Sequence, residues 1–362
     1  MTDDNTALNP RAIAVENVDL QTKCWVVRPG VRYRFINNFL EQGIIATGHL
    51  DGYDLDGITE ENPATDETLN DVLPAFSDIN SRNIATQVVS FLVDMKPGDI
   101  VFTLSSEYVI PGVIKSHPFV AEEIFTEAEK FYVRRTVEWG APIRRRAIPL
   151  AISKSFNAYQ AVFTLGDSSK EILHWLMSFF ISGENYYSSL RVEQPESINH
   201  HSLKQLTEFI DRLQVFALMV SDGEEHDYNL EEIKQRMLIL SDEGLLRLTT
   251  QQMLMSPGDF WLNFVTNSHE AGVAFLLCMS IAFGSPVAFA DAHSEATRLA
   301  LTPLIERHIG VLDEGINIAS VKERLQLTTA RQNRRFVQAK PTQPVPRHDE
   351  FPEDGEPEHA GA

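Results

Sequence analysis

The segment Lys23-Cys24-Trp25-Val26-Val27-Arg28-Pro29-Gly30 is a short apolar run closed by proline and glycine, the pattern of a buried strand that ends in a turn. Directly after it, residues 33–42 place Phe35, Ile36, Phe39 and Leu40 on one helical face, so a strand feeding an amphipathic helix is expected. Further out, Ile100–Leu104, Tyr108–Ile114 and 132–139 repeat the strand signature, each bounded by Gly, Pro, Ser or Asp. Residues 85–95 repeat the helical one through Val88, Val89, Phe91, Leu92 and Met95. Residues 20–150 are therefore predicted to form a small β-rich domain interrupted by two helices.

From about residue 167 the apolar period becomes helical, with candidate helices at 169–181, 201–220, 230–241, 257–267, 270–283, 292–308 and 319–325. In 201–220, for example, Leu203, Leu206, Phe209, Ile210 and Leu213 fall at three-and-four spacing. The expectation for 151–338 is a mostly α-helical effector or interaction domain, which makes the whole chain α+β. Residues 1–19 are polar and 339–362 are rich in Pro and Glu, so both ends read as disordered. The acidic stretch 59–82 reads as a surface insertion. Residues 272–290 carry no charge over nearly the length of a membrane span. Gly284-Ser285-Pro286 divides that run and no Lys or Arg cluster flanks it, so a core helix is expected and a membrane-acting segment is the alternative.

A formal charge of -20 excludes coating of nucleic acid by bulk electrostatics, because that mode needs clustered Lys and Arg to displace counterions. Any such contact must be local. Cys24 and Cys278 are the two cysteines, far apart and outside any metal-ligand spacing, so neither a disulfide framework nor a zinc site is expected. The polar, acidic start lacks the basic and apolar regions of a secretory signal, and a cytoplasmic protein is expected.

The strand at 23–30 is followed in order by Gly43-Ile44-Ile45-Ala46-Thr47-Gly48-His49, Asp54-Leu55-Asp56-Gly57, Met95-Lys96-Pro97-Gly98-Asp99-Ile100-Val101, Tyr108-Val109-Ile110-Pro111-Gly112-Val113-Ile114 and Arg134-Arg135-Thr136-Val137-Glu138-Trp139. This ordered set, across about 120 residues, resembles the N-terminal PUA-like or EVE-like small β-barrel of Mrr-type, modification-dependent restriction proteins. The resemblance implies a curved sheet enclosing a pocket for a base displaced from its stack, often a modified cytosine. Holding such a base requires aromatic faces and hydrogen-bonding edges that recover the unstacking energy. Trp25, Tyr53, Tyr108 and Trp139 are the candidate faces, with Thr47, His49, Ser105, Ser106, Ser116 and His117 as candidate edges. Flanking phosphates need a few cations, for which Arg28, Arg32, Arg34, Lys115, Arg134, Arg135 and the run Arg144-Arg145-Arg146 are available. Each has a plainer reading. A Trp in an apolar strand packs in a core, a His beside a turn is solvated, Arg134 and Arg135 must face opposite ways on a strand, and the arginine run suits a solvated linker.

No catalytic constellation emerges. The closest approach to a nuclease set, Asp222 or Asp227 with Glu232 and Lys234, sits on a predicted helix instead of the strand-rich core that metal-dependent cleavage needs. His269-Glu270-Ala271-Gly272-Val273 lacks a second helical histidine, and neither a Walker loop nor a nucleophile elbow is present. Adjacent His200 and His201 cannot share a helical face. No metal or other cofactor is expected. The expected function is a nucleic-acid sensor, of modified DNA bases in a prokaryotic defence or restriction-like system, whose helical domain signals to a partner protein or forms a homo-oligomer. A membrane-acting effector, an RNA-binding PUA-like protein and a nuclease of unfamiliar design are the alternatives.

Overall fold

The computed structural model describes residues 12–329 apart from 54, 56, 60, 63, 77–81, 167, 196, 224–225 and 254–257. The tail at 339–362 and the first eleven residues, both expected to be disordered, lie outside the described residues. In chain order β1 (Ile13–Asn17) precedes β2 (Cys24–Val27), α1 (Ile36–Gln42) and β3 (Ile44–Ala46). Then come α2 (Asp66–Val72), α3 (Arg82–Val89), β4 (Ile100–Leu104), β5 (Tyr108–Ile114), β6 (Phe119–Val120), β7 (Val133–Trp139), β8 (Ile143–Arg144), α4 (Leu150–Ser153) and β9 (Val162–Thr164). The second half contributes α5 (Ser169–Leu176), β10 (Phe179–Ser182), β11 (Asn185–Val192), α6 (His200–Ser221), α7 (Leu230–Asp242), β12 (Leu248–Met253), β13 (Gly258–Val265), α8 (His269–Phe283), β14 (Val287–Phe289), α9 (Ala292–Leu312), α10 (Ile318–Leu325) and β15 (Leu327–Thr329).

The first sheet has the order β3-β7-β5-β4-β2-β9, with β6 beside β7 and β8 beside β5, and it curls into a half-barrel. Strand alternation gives β2 two buried faces. Trp25 and Val27 enter the hollow with Phe39, Phe91 and Trp139, whereas Cys24 and Val26 face the opposite core with Phe102, Phe156 and Trp175. The Lys96-Pro97-Gly98-Asp99 turn is tied to β2 through one carboxylate. Asp99 accepts from the Lys96 N–H at 3.0 Å, the Lys23 N–H at 3.2 Å and the Trp25 indole N–H at 2.8 Å. At Gly112 a Cβ would stand 2.6 Å from the Trp139 ring, so the β5–β7 crossing needs a residue without a side chain there.

The second half holds the helices expected at 201–220, 230–241, 270–283, 292–308 and 319–325, and adds a sheet that the expectation did not include. The order of that sheet is β12-β13-β11-β10-β1-β14, with β15 beside β11. The predicted helix at 169–181 stops at Leu176 and gives way to β10, and the predicted helix at 257–267 is β13. Phe260-Trp261-Leu262-Asn263-Phe264-Val265 is nearly continuous apolar sequence, and a strand buried on both faces loses the period that separates it from a helix.

β1 is the larger departure, because 1–19 reads as disordered and yet Ile13–Asn17 is a strand parallel to both β10 and β14. The half-barrel is therefore inserted between β1 and β10 of the second sheet. Its boundary is not at residue 150, since β9 pairs with β2. Nor is 59–82 merely a surface insertion, because Leu69, Val72 and Phe76 are buried in the half-barrel core.

Residues 272–290 divide as their glycine and proline foretell. α8 ends at Gly284 in the left-handed conformation and β14 follows. Helix α8 is buried all round, within the core that Phe209, Phe216 and Phe260 share. Among the described residues no helix is long and apolar enough to cross a membrane. Gly272 lets the helix lie against β11, since a Cβ there would come within 2.1 Å of the Tyr186 ring.

Candidate nucleic-acid interface

The hollow of the half-barrel is occupied by the protein's own side chains. Trp25 and Trp139 are 2% and 3% exposed, and the Trp139 indole N–H donates to the Phe39 carbonyl at 2.9 Å. Both rings serve the core and neither is a free wall for a base. Thr47 is buried and caps the following turn by accepting from the His49 N–H. His49 Nε2 lies 3.4 Å from Gln87 Oε1, and burial holds its pKa below the usual histidine range against the opposing effects of Gln87 and Asp51. Ser105 accepts from the Tyr108 N–H at 2.9 Å and closes the β4–β5 hairpin, with Tyr108 half-buried and Ser106 exposed on the turn. Ser116 donates to the carbonyl of half-buried His117 and accepts from Thr136. These groups are spread over the hairpins and do not converge on one opening.

Tyr53 differs. It borders an open cleft of about 620 Å³ together with Asp51, Gly52, Val120, Glu122, Lys130 and Tyr132. The Tyr132 hydroxyl donates to the carbonyls of Leu50 and Tyr53, and Asp51 accepts from the backbone N–H groups of Lys130 and Phe131. The cleft walls are thus fixed before any ligand arrives.

Among the candidate phosphate ligands the arginines divide sharply. Arg135 is fully buried and donates to the carbonyls of Phe91 at 2.8 Å, Ser116 at 3.1 Å and Leu92 at 3.2 Å. Burial pushes its pKa down to about 10. Arg134, on the other face of β7, donates to Phe131 O, Glu123 O and Gln42 Oε1. Neither guanidinium is free for phosphate, a correction for Arg134 with a simple cause: its Nε and both terminal nitrogens already donate to the oxygens of Phe131, Gln42 and Glu123. Lys115 is paired with Glu138 at 2.8 Å and Arg34 with Glu129.

Arg28 and Arg145 come together at Tyr33. Arg28 donates to the Tyr33 hydroxyl at 3.0 Å and Arg145 to the same oxygen at 3.1 Å. Exposed Arg32 adjoins Tyr33, and exposed Arg144 and Arg146 flank Arg145. Burial alone would raise the Tyr33 phenol, but the charges of Arg145 and Arg28 and their hydrogen bonds outweigh it and hold the group below the usual tyrosine range. Among the described residues no ion pair involves any of these five arginines, and Arg145 Nε is buried without an acceptor. The loop that presents Arg32 and Tyr33 is strained, because both have positive φ, 52° and 61°, a conformation that costs L-residues about 1–2 kcal/mol each and that concentrates at ligand clamps.

Sequence reasoning named Arg28, Arg32 and the 144–146 run and missed Tyr33, although its position between Arg32 and Arg34 was a usable signal. It also missed Tyr159, which is fully exposed. The nuclease-like residues have structural duties or none. Glu232 forms a capping box with Asn229 at the start of α7, and Asn199 caps the helix that His200 begins. Among the described residues no group of His, Cys, Asp or Glu is arranged to hold a metal ion. No family model, no curated protein and no solved structure matches this chain.

Proposed function

We propose that this protein is a nucleic-acid-binding sensor that grips the phosphate backbone through the arginine cluster around Tyr33. The observation that carries the reading is the meeting of Arg28 and Arg145 on the Tyr33 hydroxyl, with exposed Arg32, Arg144 and Arg146 adjoining them in the chain and none of the five ion-paired among the described residues, on a chain whose net charge is -20. Arg28, spent on the 156–160 carbonyls, positions the cluster and the other four face the phosphate. An acidic protein that keeps such a patch concentrates a phosphate-bearing ligand there and repels it elsewhere. The PUA-like resemblance supports the same ligand class and adds a displaced base, for which the fixed cleft beside Tyr53 is roomy enough. The two tryptophans do not contribute to that part of the reading.

Polarisation titrations of the full chain with plain, methylated and hydroxymethylated DNA at several salt concentrations test it. Binding should weaken steeply with salt, and Arg32→Glu combined with Arg144→Glu should reduce affinity about tenfold or more and flatten the salt dependence. Salt-independent binding, or full affinity in the double variant, would refute the phosphate grip. Equal affinity for all three DNAs would remove the modified-base element alone.

A further inference from the structure

Building on the phosphate grip just proposed, we infer that Tyr159 is a stacking platform for an unpaired base, so that the ligand is a single-stranded or locally opened segment. Tyr159 is 102% exposed, an extreme value for an aromatic side chain. Water contact over a whole phenol ring is unfavourable, and a flexible loop would relieve it by folding the ring inward. The backbone that carries this ring is held in place. Arg28 donates to the carbonyls on either side, Ala158 O at 2.5 Å and Gln160 O at 3.1 Å, and also to Phe156 O at 3.3 Å. The Gln160 side chain is held in turn by Asn83 Oδ1 at 2.5 Å.

The same guanidinium that fixes the Tyr159 backbone also reaches the Tyr33 hydroxyl at the centre of the arginine cluster. A solvated aromatic residue is therefore carried on backbone that the same guanidinium ties to the proposed phosphate site. Base–aromatic stacking tolerates any sequence, because every base has a π-face, but the base must be out of its duplex stack. A paired helix would offer phosphates to the cluster and no face to the ring.

The test uses the full chain with a fluorescent oligothymidine and with a duplex of plain sequence, in wild type, Tyr159→Ala, Tyr159→Phe and the Arg32→Glu/Arg144→Glu double variant. Because Tyr159 lies outside the core, Tyr159→Ala should melt with the wild type. It should bind oligothymidine about fivefold or more weakly, Tyr159→Phe should stay near wild type, and duplex affinity should be unchanged. Full single-strand affinity in Tyr159→Ala, or an equal loss on single strand and duplex, overturns the stacking role. If the double variant still loses both ligands, the phosphate grip survives that failure. If the double variant binds as wild type, the grip itself falls and the stacking role with it.

Discussion

Two groups of arginines lie on the same half-barrel and have opposite fates. Arg134 and Arg135 sit on β7 and spend their donors on backbone carbonyls and, for Arg134, on the Gln42 amide oxygen as well. Arg28 is as thoroughly engaged with the loop at 156–160, yet it and Arg145 still converge on a half-exposed phenol and are joined by Arg32, Arg144 and Arg146 in solvent. The difference teaches that the number of basic residues in a segment says little about binding. What matters is whether carbonyl oxygens or solvent lie along the directions in which the guanidinium donors point.

The comparison breaks most visibly at Arg135. Arg135→Leu leaves three carbonyls, those of Phe91, Leu92 and Ser116, without the donor that joins the helical turn at 90–94 to β7. At about 1–3 kcal/mol for each unsatisfied buried group, partly relieved by relaxation, the expected loss is about 3–5 kcal/mol. Chemical denaturation measures it, and an unchanged midpoint would mean that the inner guanidinium is no strut. Arg32 and Arg144, by contrast, should be removable without a comparable loss.

A second effect, spread over the acid range and small per pH unit, sharpens the contrast through a histidine. His174 lies in the apolar layer between the two sheets, with Nδ1 2.8 Å from Ser189 Oγ and its ring stacked on Trp261 at 5.3 Å. Burial, with help from the Lys170 charge, pushes its pKa down from 6.5 to about 3. The folded state therefore keeps it neutral while the unfolded chain takes up a proton below pH 6.5. Stability should be unaffected by this group above pH 6.5, should fall as pH drops toward 3 by up to about 1.4 kcal/mol per pH unit, and should level off below that. His174→Gln should flatten that part of the profile. An identical slope in the variant would assign the acid sensitivity to other groups.

Much of the half-barrel was legible because its strands are short and its punctuation is chemical. Pro29-Gly30, the Lys-Pro-Gly-Asp turn and the 105–108 turn all fall where a chain reversal occurs. The second sheet was not legible in the same way. β13 is apolar on both faces, β10 follows α5 after only Met177 and Ser178, and β1 acquires its meaning from partners more than 160 residues away, Phe180 and Ala288 among them. No local pattern encodes such pairing. At the candidate site the arginines could be named from the sequence, but their spending could not, since it depends on where the carbonyls at 91, 92, 116, 123 and 131 lie in space. Tyr159, between Ala158 and Gln160, carries no local mark that separates it from any loop tyrosine, because the Arg28 bonds to the carbonyls on either side come from a distant part of the chain.

The smallest effect separates stability from binding most cleanly. Arg32 sits at φ 52° in the loop that begins at Gly30 and ends in α1, and its side chain is exposed. Arg32→Gly removes the left-handed strain of about 1–2 kcal/mol and adds the entropic cost of a glycine in the unfolded chain, about 0.5–1 kcal/mol. The net change in stability should lie between zero and about 1.5 kcal/mol, in the stabilising direction. Affinity for oligothymidine should nevertheless fall, because one cation of the cluster is gone. A strained residue whose relief stabilises the fold and weakens binding is held for the ligand. If Arg32→Gly is instead destabilising and binds as well as wild type, the left-handed loop is a structural turn and the arginine on it a bystander.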